Sequence, residues 1–180
     1  MLPSLIEPSD LKKVCEQKPS EMVIVDLGSE ARFHHEHIPG AVLVTPAETQ
    51  AGPPVPGFIP SNESLTILMR RIGLTKSTHV VVYDDEGGGW AGRFIWMLDE
   101  IGHTQYSYLN GGLIAWKGDG FETESGHSTL SPSEISVKAS HLHTINCETL
   151  NKALSEEATQ VWDARSPMEY RGETQYAARA

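Results

Sequence analysis

Between Val80 and Phe94 the sequence reads VVVYDDEGGGWAGRF. Asp84, Asp85 and Glu86 set three carboxylates side by side, and Gly87, Gly88 and Gly89 follow them. An apolar run of strand type ends in these acids, and a helical pattern begins after the glycines. The turn therefore belongs at the carboxyl end of a strand, where parallel α/β proteins place their chemistry. Three roles suit such residues. Glycines at a helix N-terminus can offer N–H groups to a phosphate, but the acids repel one and no lysine follows as in a P-loop. Adjacent carboxylates can ligate a divalent cation, but consecutive residues point apart and no second cluster supports them. The third role is a tight strand-to-helix turn whose acids lie near the positive end of the helix. The residues favour this last reading, and the turn itself holds no cysteine, serine, histidine or lysine to act as nucleophile or base.

The second stretch with chemical potential is FHHEHIPGA, residues 33–41. A zincin helix needs histidines at i and i+4, and its inverted form needs H-x-x-E-H. His34, His35 and His37 fit neither spacing, and Phe33 stands three residues before Glu36. His37 is expected to fix the following turn through a hydrogen bond, with His34 and His35 solvated; no metal is expected. Cys15 falls on an apolar helical face and reads as core. Cys147 follows a helix cap, where a thiol pKa can fall, but it has no basic partner. Trp96, Trp116 and Trp162 sit at apolar positions. Trp90, directly after the glycines, can face a partner surface.

These residues need elements to hold them. Ser9 is a cap for a first helix carrying Leu11, Val14 and Cys15 on one face. Met22–Leu27, Ala41–Val44, His79–Tyr83 and Tyr106–Leu109 are short continuous apolar runs, the signature of strands buried on both faces. Ser29 caps a short helix before the Pro39-Gly40 turn. Residues 45–61 carry five of the eleven prolines and read as a long loop. A helix capped by Asn62 ends at Gly73, another runs from Gly89 to Gly102, and a third follows Gly111. Alternating strands and helices predict a three-layer α/β domain with a mainly parallel sheet over residues 1–122. Residues 123–143, rich in Ser, Thr, Gly and Glu, read as an inter-domain linker. Residues 144–180 open a second unit: a helix capped by Asn146, then the apolar run QVWDARS as a buried strand. VIVDLGSEARF and QVWDARSPMEY rhyme, as a duplicated domain would. About 35 residues of this kind cannot build a core alone, so residues 141–180 are expected to pack poorly.

The 180 residues carry 14 basic and 24 acidic side chains, a formal charge of -10. A field of that sign disfavours nucleic acid and anionic membranes as partners. Two distant cysteines argue against a disulfide framework and for a reducing compartment. The N-terminus lacks the pattern of a secretory signal, and no apolar stretch approaches ~20 residues. A soluble, cytoplasmic protein is the expectation.

Taken together, the motifs resemble the rhodaneses over the whole chain. VDLGSEARFHHEHIPGA is similar to the family's first signature, with Glu36 replacing the usual glycine before His37. YLNGGLIAW resembles its closing motif. WDARSPMEYRGE resembles the opening of the second domain in tandem members. YDDEGGGWAGRFIWMLD resembles the inactive first domain of bacterial two-domain thiosulfate sulfurtransferases.

The resemblance implies a catalytic cysteine directly after this strand in an active domain, cradled by loop N–H groups and carrying a persulfide. Here Asp84 takes that position, so Asp84 to Gly89 form an inactive loop. The cysteine is then expected in a second rhodanese domain of the same chain, truncated here at Ala180, across an interface that Trp90, Arg93, Arg165 and Glu169 can line. The implied partners are thiosulfate or a similar sulfur donor and a thiophilic acceptor, with no cofactor. Glu169 stands where mercaptopyruvate-using relatives usually carry arginine, which leans towards thiosulfate. The alternative is a non-catalytic rhodanese-like binding module docking through Trp90 and the acidic loop. A phosphatase-like relative of the fold would need Cys and Arg in the loop, and Arg93 comes too late.

Overall fold

The computed structural model describes residues 2–17, 19, 21–54, 57–156 and 159–174. Two compact units divide the chain, Met1–His143 and Thr144–Ala180.

The first unit is built on a parallel sheet of five strands: β1 Leu5–Ile6, β2 Met22–Asp26, β3 Ala41–Leu43, β4 His79–Tyr83 and β5 Tyr106–Leu109. Their spatial order is β1-β5-β4-β2-β3. From β2 the chain moves outward to β3, then returns to the other side of β2 for β4 and β5. The switch point therefore lies between β2 and β4, which pair from Met22↔His79 to Asp26↔Tyr83. Ligand crevices of open α/β sheets form at the carboxyl ends of strands beside such a point.

Helices cover both faces. In β2 and β4 alternate residues serve opposite cores. Val23, Val25, Val80 and Val82 meet α3 (Asn62–Arg71) and α4 (Gly89–Glu100) through Leu65, Leu68, Met69, Phe94 and Met97. Ile24, Val81 and Tyr83 meet α1 (Pro8–Glu16), α2 (Glu30–His35) and α5 (Gly112–Gly118) through Leu11, Phe33, Leu113 and Trp116. That is the three-layer arrangement the apolar runs predict. Small differences have local causes. Glu7, not Ser9, precedes α1, because Pro8 fits the first helical turn, where no N–H partner is needed. Ser61, not Asn62, caps α3 by accepting the Ser64 N–H at 3.1 Å. Strand β1 is two residues long, too short for any periodicity to reveal.

The largest difference concerns residues 123–143. They have an irregular backbone, as composition suggests, but they belong to the first unit. From Ser133 to Ala139 the chain runs extended and antiparallel along α3. Asn62 Oδ1 accepts the Ala139 N–H (2.9 Å), Thr66 Oγ1 bonds both backbone groups of Val137 (3.2 and 3.3 Å), and Arg70 Nε donates to the Ile135 carbonyl (2.7 Å). Four helical residues rise about 6 Å and two extended residues advance about 6.6 Å, so positions 62, 66 and 70 match 139, 137 and 135 in register. Ile135, Val137 and Ala139 close over the core.

The second unit, by itself, holds α6 (Cys147–Leu154), capped by Asn146, and the single turn α7 (Pro167–Tyr170). QVWDARS does not form the expected buried strand: Val161 and Trp162 are 61% and 92% exposed. Among the described residues of this unit no strand lies beside it to pair with, and an isolated strand leaves its backbone to water.

Candidate functional site

β4 delivers the acidic turn to the switch point, and each of its three carboxylates is engaged. Asp84 is buried, 2% exposed. Its Oδ1 accepts the N–H groups of Glu86 (3.2 Å) and Gly88 (2.7 Å), and its Oδ2 accepts those of Trp90 and Ala91 (3.0 Å each). The last two belong to the first turn of α4, whose N–H groups would otherwise be orphans. A loop shaped to surround an anion thus surrounds a side-chain carboxylate of its own strand. Asp85 Oδ2 lies 3.2 Å from Arg32 Nε. Glu86 Oε2 accepts the Trp90 indole N–H at 3.1 Å. The phosphate-cradle and cation readings of the turn lose their free groups, and no cluster of His, Cys, Asp or Glu fit for a metal occurs among the described residues.

Two glycines make this geometry possible. Gly88 caps α4 at φ 94°, and a Cβ there would lie 3.0 Å from the Tyr108 hydroxyl. Gly112 opens α5 at φ 55°, and a Cβ there would lie 2.1 Å from the Asp84 carbonyl oxygen. The NGG motif is thus fitted against the backbone of the acidic turn.

Below the turn lies a buried ionic group that the motif reading passed over. Asp26, at the end of β2, is fully buried. Arg32 grips it with a two-pronged fork, Nη1 donating to Oδ2 at 2.6 Å and Nη2 to Oδ1. The Tyr83 hydroxyl also donates to Asp26 Oδ2 and accepts the Ile38 N–H at 3.1 Å. Burial pushes the Asp26 carboxyl up, and the bonds from Arg32 and Tyr83 pull the other way. Burial opposes the charge on Arg32, but Asp26 and Asp85 outweigh it and raise its pKa. Burial, then Asp26, raise the Tyr83 phenol, which stays a donor. Asp26↔Tyr83 is a register pair, so a short strand ending in Asp beside one ending in Tyr was the available signal.

His37 performs the expected structural role. It is buried, its Nδ1 donates to the Phe33 carbonyl at 2.7 Å, and its Nε2 meets Glu124 Oε1 at 3.2 Å. Glu124 also accepts the Gly40 N–H at 2.7 Å, which fastens the Pro39-Gly40 turn. His35 is exposed as expected. His34 is not simply solvated: it is half-buried, bonded to the Gly126 carbonyl at 3.3 Å and packed edge-on against His127. Glu36 pairs with Lys117 at 2.7 Å. Cys15 is half-buried against the core, and burial pushes its thiol pKa up; Cys147 is exposed.

The four residues expected at an interface are placed as follows. Trp90 is half-buried against the core. Arg93 donates to the carbonyls of Thr49, Gly57 and Phe58 at 2.9, 3.1 and 3.0 Å, pinning the proline-rich loop. Arg165 is held by Asp163 at 2.6–3.0 Å, and Glu169 forms a capping box with Ser166. The first pair belongs to the first unit and the second pair to the second unit.

The family profile of the rhodanese-like domain matches residues 7–119. The thiosulfate sulfurtransferases of Azotobacter vinelandii and Pseudomonas aeruginosa are each 44% identical to the chain over 99% of it. The chain spans 65% and 66% of their lengths, just under two thirds. Human 3-mercaptopyruvate sulfurtransferase is 32% identical over 81% of the chain and 51% of its own length. The crystal structure of SseA from Escherichia coli, described as a 3-mercaptopyruvate sulfotransferase, superposes with a TM-score of 0.83 at 25% identity, covering 99% of this chain and 71% of that one.

Proposed function

The chain belongs to the rhodanese family, and on that premise we propose that it is the non-catalytic domain and second-domain opening of a tandem thiosulfate sulfurtransferase acting through a cysteine persulfide. The observation that carries the reading is the Asp84 carboxylate: it fills the loop where an active domain of this family holds a sulfur, and a carboxylate cannot carry sulfane sulfur. Residues 144–180 begin the domain that supplies the cysteine, in the part of the relatives' length that this chain does not span. There a thiolate attacks the outer sulfur of thiosulfate, an S–S bond forms, and the bond to sulfite breaks with its electron pair. Cyanide or another thiophile then takes the outer sulfur and restores the thiolate. Two unpaired cysteines support a reducing compartment, the cytoplasm, as its location.

The test is thiocyanate formation from thiosulfate and cyanide by the protein of the complete reading frame, beside the 180-residue chain. Turnover by the longer protein that survives Cys15→Ser and Cys147→Ser, with none by the shorter, is expected. Turnover by the 180 residues that vanishes with Cys147→Ser, or none by the longer protein, overturns the reading. The latter result favours a binding module, which the self-filled loop also suits.

A further inference from the structure

At the amino ends of β4 and β5, opposite the Asp84 turn, a cavity of about 390 Å³ opens between three segments. They are the loop before β4 (Leu74, Lys76), the loop between α4 and β5 (Ile101 to Gln105) and the extended segment along α3 (Ile135 to Lys138). Its size falls within the ~300–1,000 Å³ of small-molecule sites. Leu74, Ile101, Ile135 and Val137 give it an apolar floor continuous with the core. The charges are one-sided. Lys76 and Lys138 both line the cavity, no carboxylate does, and neither ammonium forms an ion pair among the described residues. In a chain of formal charge -10, a two-lysine lining free of acids is a local reversal of the field. His103, 8% exposed, also lines it, and its Nε2 is buried without a hydrogen-bond partner. A buried ring nitrogen without a partner costs free energy until a polar group of a ligand satisfies it. The walls are braced, since Gln105 Nε2 donates to the Lys76 carbonyl at 2.9 Å.

We propose that this cavity binds a small organic anion, its apolar body on Leu74, Ile101, Ile135 and Val137 and its carboxylate or phosphate held by Lys76 and Lys138. The site is separate from the sulfur chemistry and does not rest on it. The test is backbone amide NMR of the full 180-residue chain titrated with phenylacetate, phenyl phosphate and uncharged 2-phenylethanol. Shifts confined to residues 74–76, 101–105 and 135–138 are expected with at least one anion, and the stronger of the two names the head group. The exposed pair Lys76→Gln and Lys138→Gln leaves the fold intact, read from the unchanged remainder of the spectrum, and weakens binding about tenfold. Equal binding of the alcohol, indifference to the lysine substitutions, shifts elsewhere, or no response to either anion at millimolar concentration overturns the proposal.

Discussion

Asp84 organises the acidic turn from within. Its two oxygens satisfy four backbone N–H groups, two of them in the first turn of α4. Asp84→Ala removes the acceptor from all four at once, and the loss of a cap with buried donors left over costs about 2 kcal/mol. Asp84→Asn keeps one acceptor but turns an amide N–H toward other N–H groups, so it recovers little. Urea unfolding of the two variants checks both, and wild-type stability in Asp84→Ala would show that water serves the loop equally well. Arg32 is the other residue on which the site depends. Removing it strands the carboxylate of Asp26, which is fully buried, and breaking such a pair costs about 3–5 kcal/mol. Arg32→Met with Asp26→Asn should cost clearly less than Arg32→Met alone, because no charge is left uncompensated. A double-mutant cycle measures the difference.

Among the elements, the strands were the most legible, because a strand buried on both faces must read as an unbroken apolar run. Helix starts were legible to within two residues, since Ser, Asn and Pro compete to begin the same turn. The site was legible only as a turn. That Asp84 would face inward, and that Arg32 would reach both Asp26 and Asp85, depends on which strand ends the switch point brings together. Gly112 shows how tightly two elements meet there. Gly112→Ala would place a Cβ 2.1 Å from the Asp84 carbonyl oxygen at a positive φ. It should destabilise the first unit by several kcal/mol or unfold it, whereas Gly118→Ala, with open space around it, should be neutral or slightly stabilising. At the other end of the sheet, β4 and the loop before β5 hold two histidines with lowered pKa values. For His79 burial, then His103, disfavour the charged ring; for His103 burial does so. The Ser107 hydroxyl donates to the Pro3 carbonyl at 2.5 Å, so it accepts from His79 Nε2 at 2.8 Å. The unfolded chain takes up these protons first, near the ordinary value of 6.5. Stability therefore rises with pH up to that value, is lost as pH falls below it, and is flat above it on their account. Unfolding free energies at pH 7.5 and 5.5 should show the slope, and His79→Gln should reduce it.

At the scale of the whole molecule, composition and contact disagree about where the first unit ends. Composition ends it near residue 122, because the next twenty residues are polar and small. Contact ends it at His143, because every second residue from Ile135 to Ala139 is apolar and meets α3 in register. Alternation over only three positions, amid serines and glutamates, is too brief to stand out in the sequence. Beyond His143 the described residues include none that is buried, and an eight-residue helix without a packed face is marginal in water. Hydrogen exchange should therefore be fast throughout residues 147–154 and slow by orders of magnitude in Val80–Tyr83. Equal protection in the two would mean that the second unit is held by contacts of its own. Fragments separate the two boundaries directly. A fragment of residues 1–143 should melt with the full chain, since the described residues that it lacks contribute no core. A fragment of residues 1–122 loses the bonds of Asn62, Thr66 and Arg70 to the extended segment and the apolar cover from Ile135, Val137 and Ala139. It also loses Glu124, which bonds His37 and the Gly40 N–H. Its melting temperature should fall by about 5 °C or more, and amides of α3, which the segment bonds, should lose protection before those of α1. Identical melting of the two fragments would return residues 123–143 to the role of a linker.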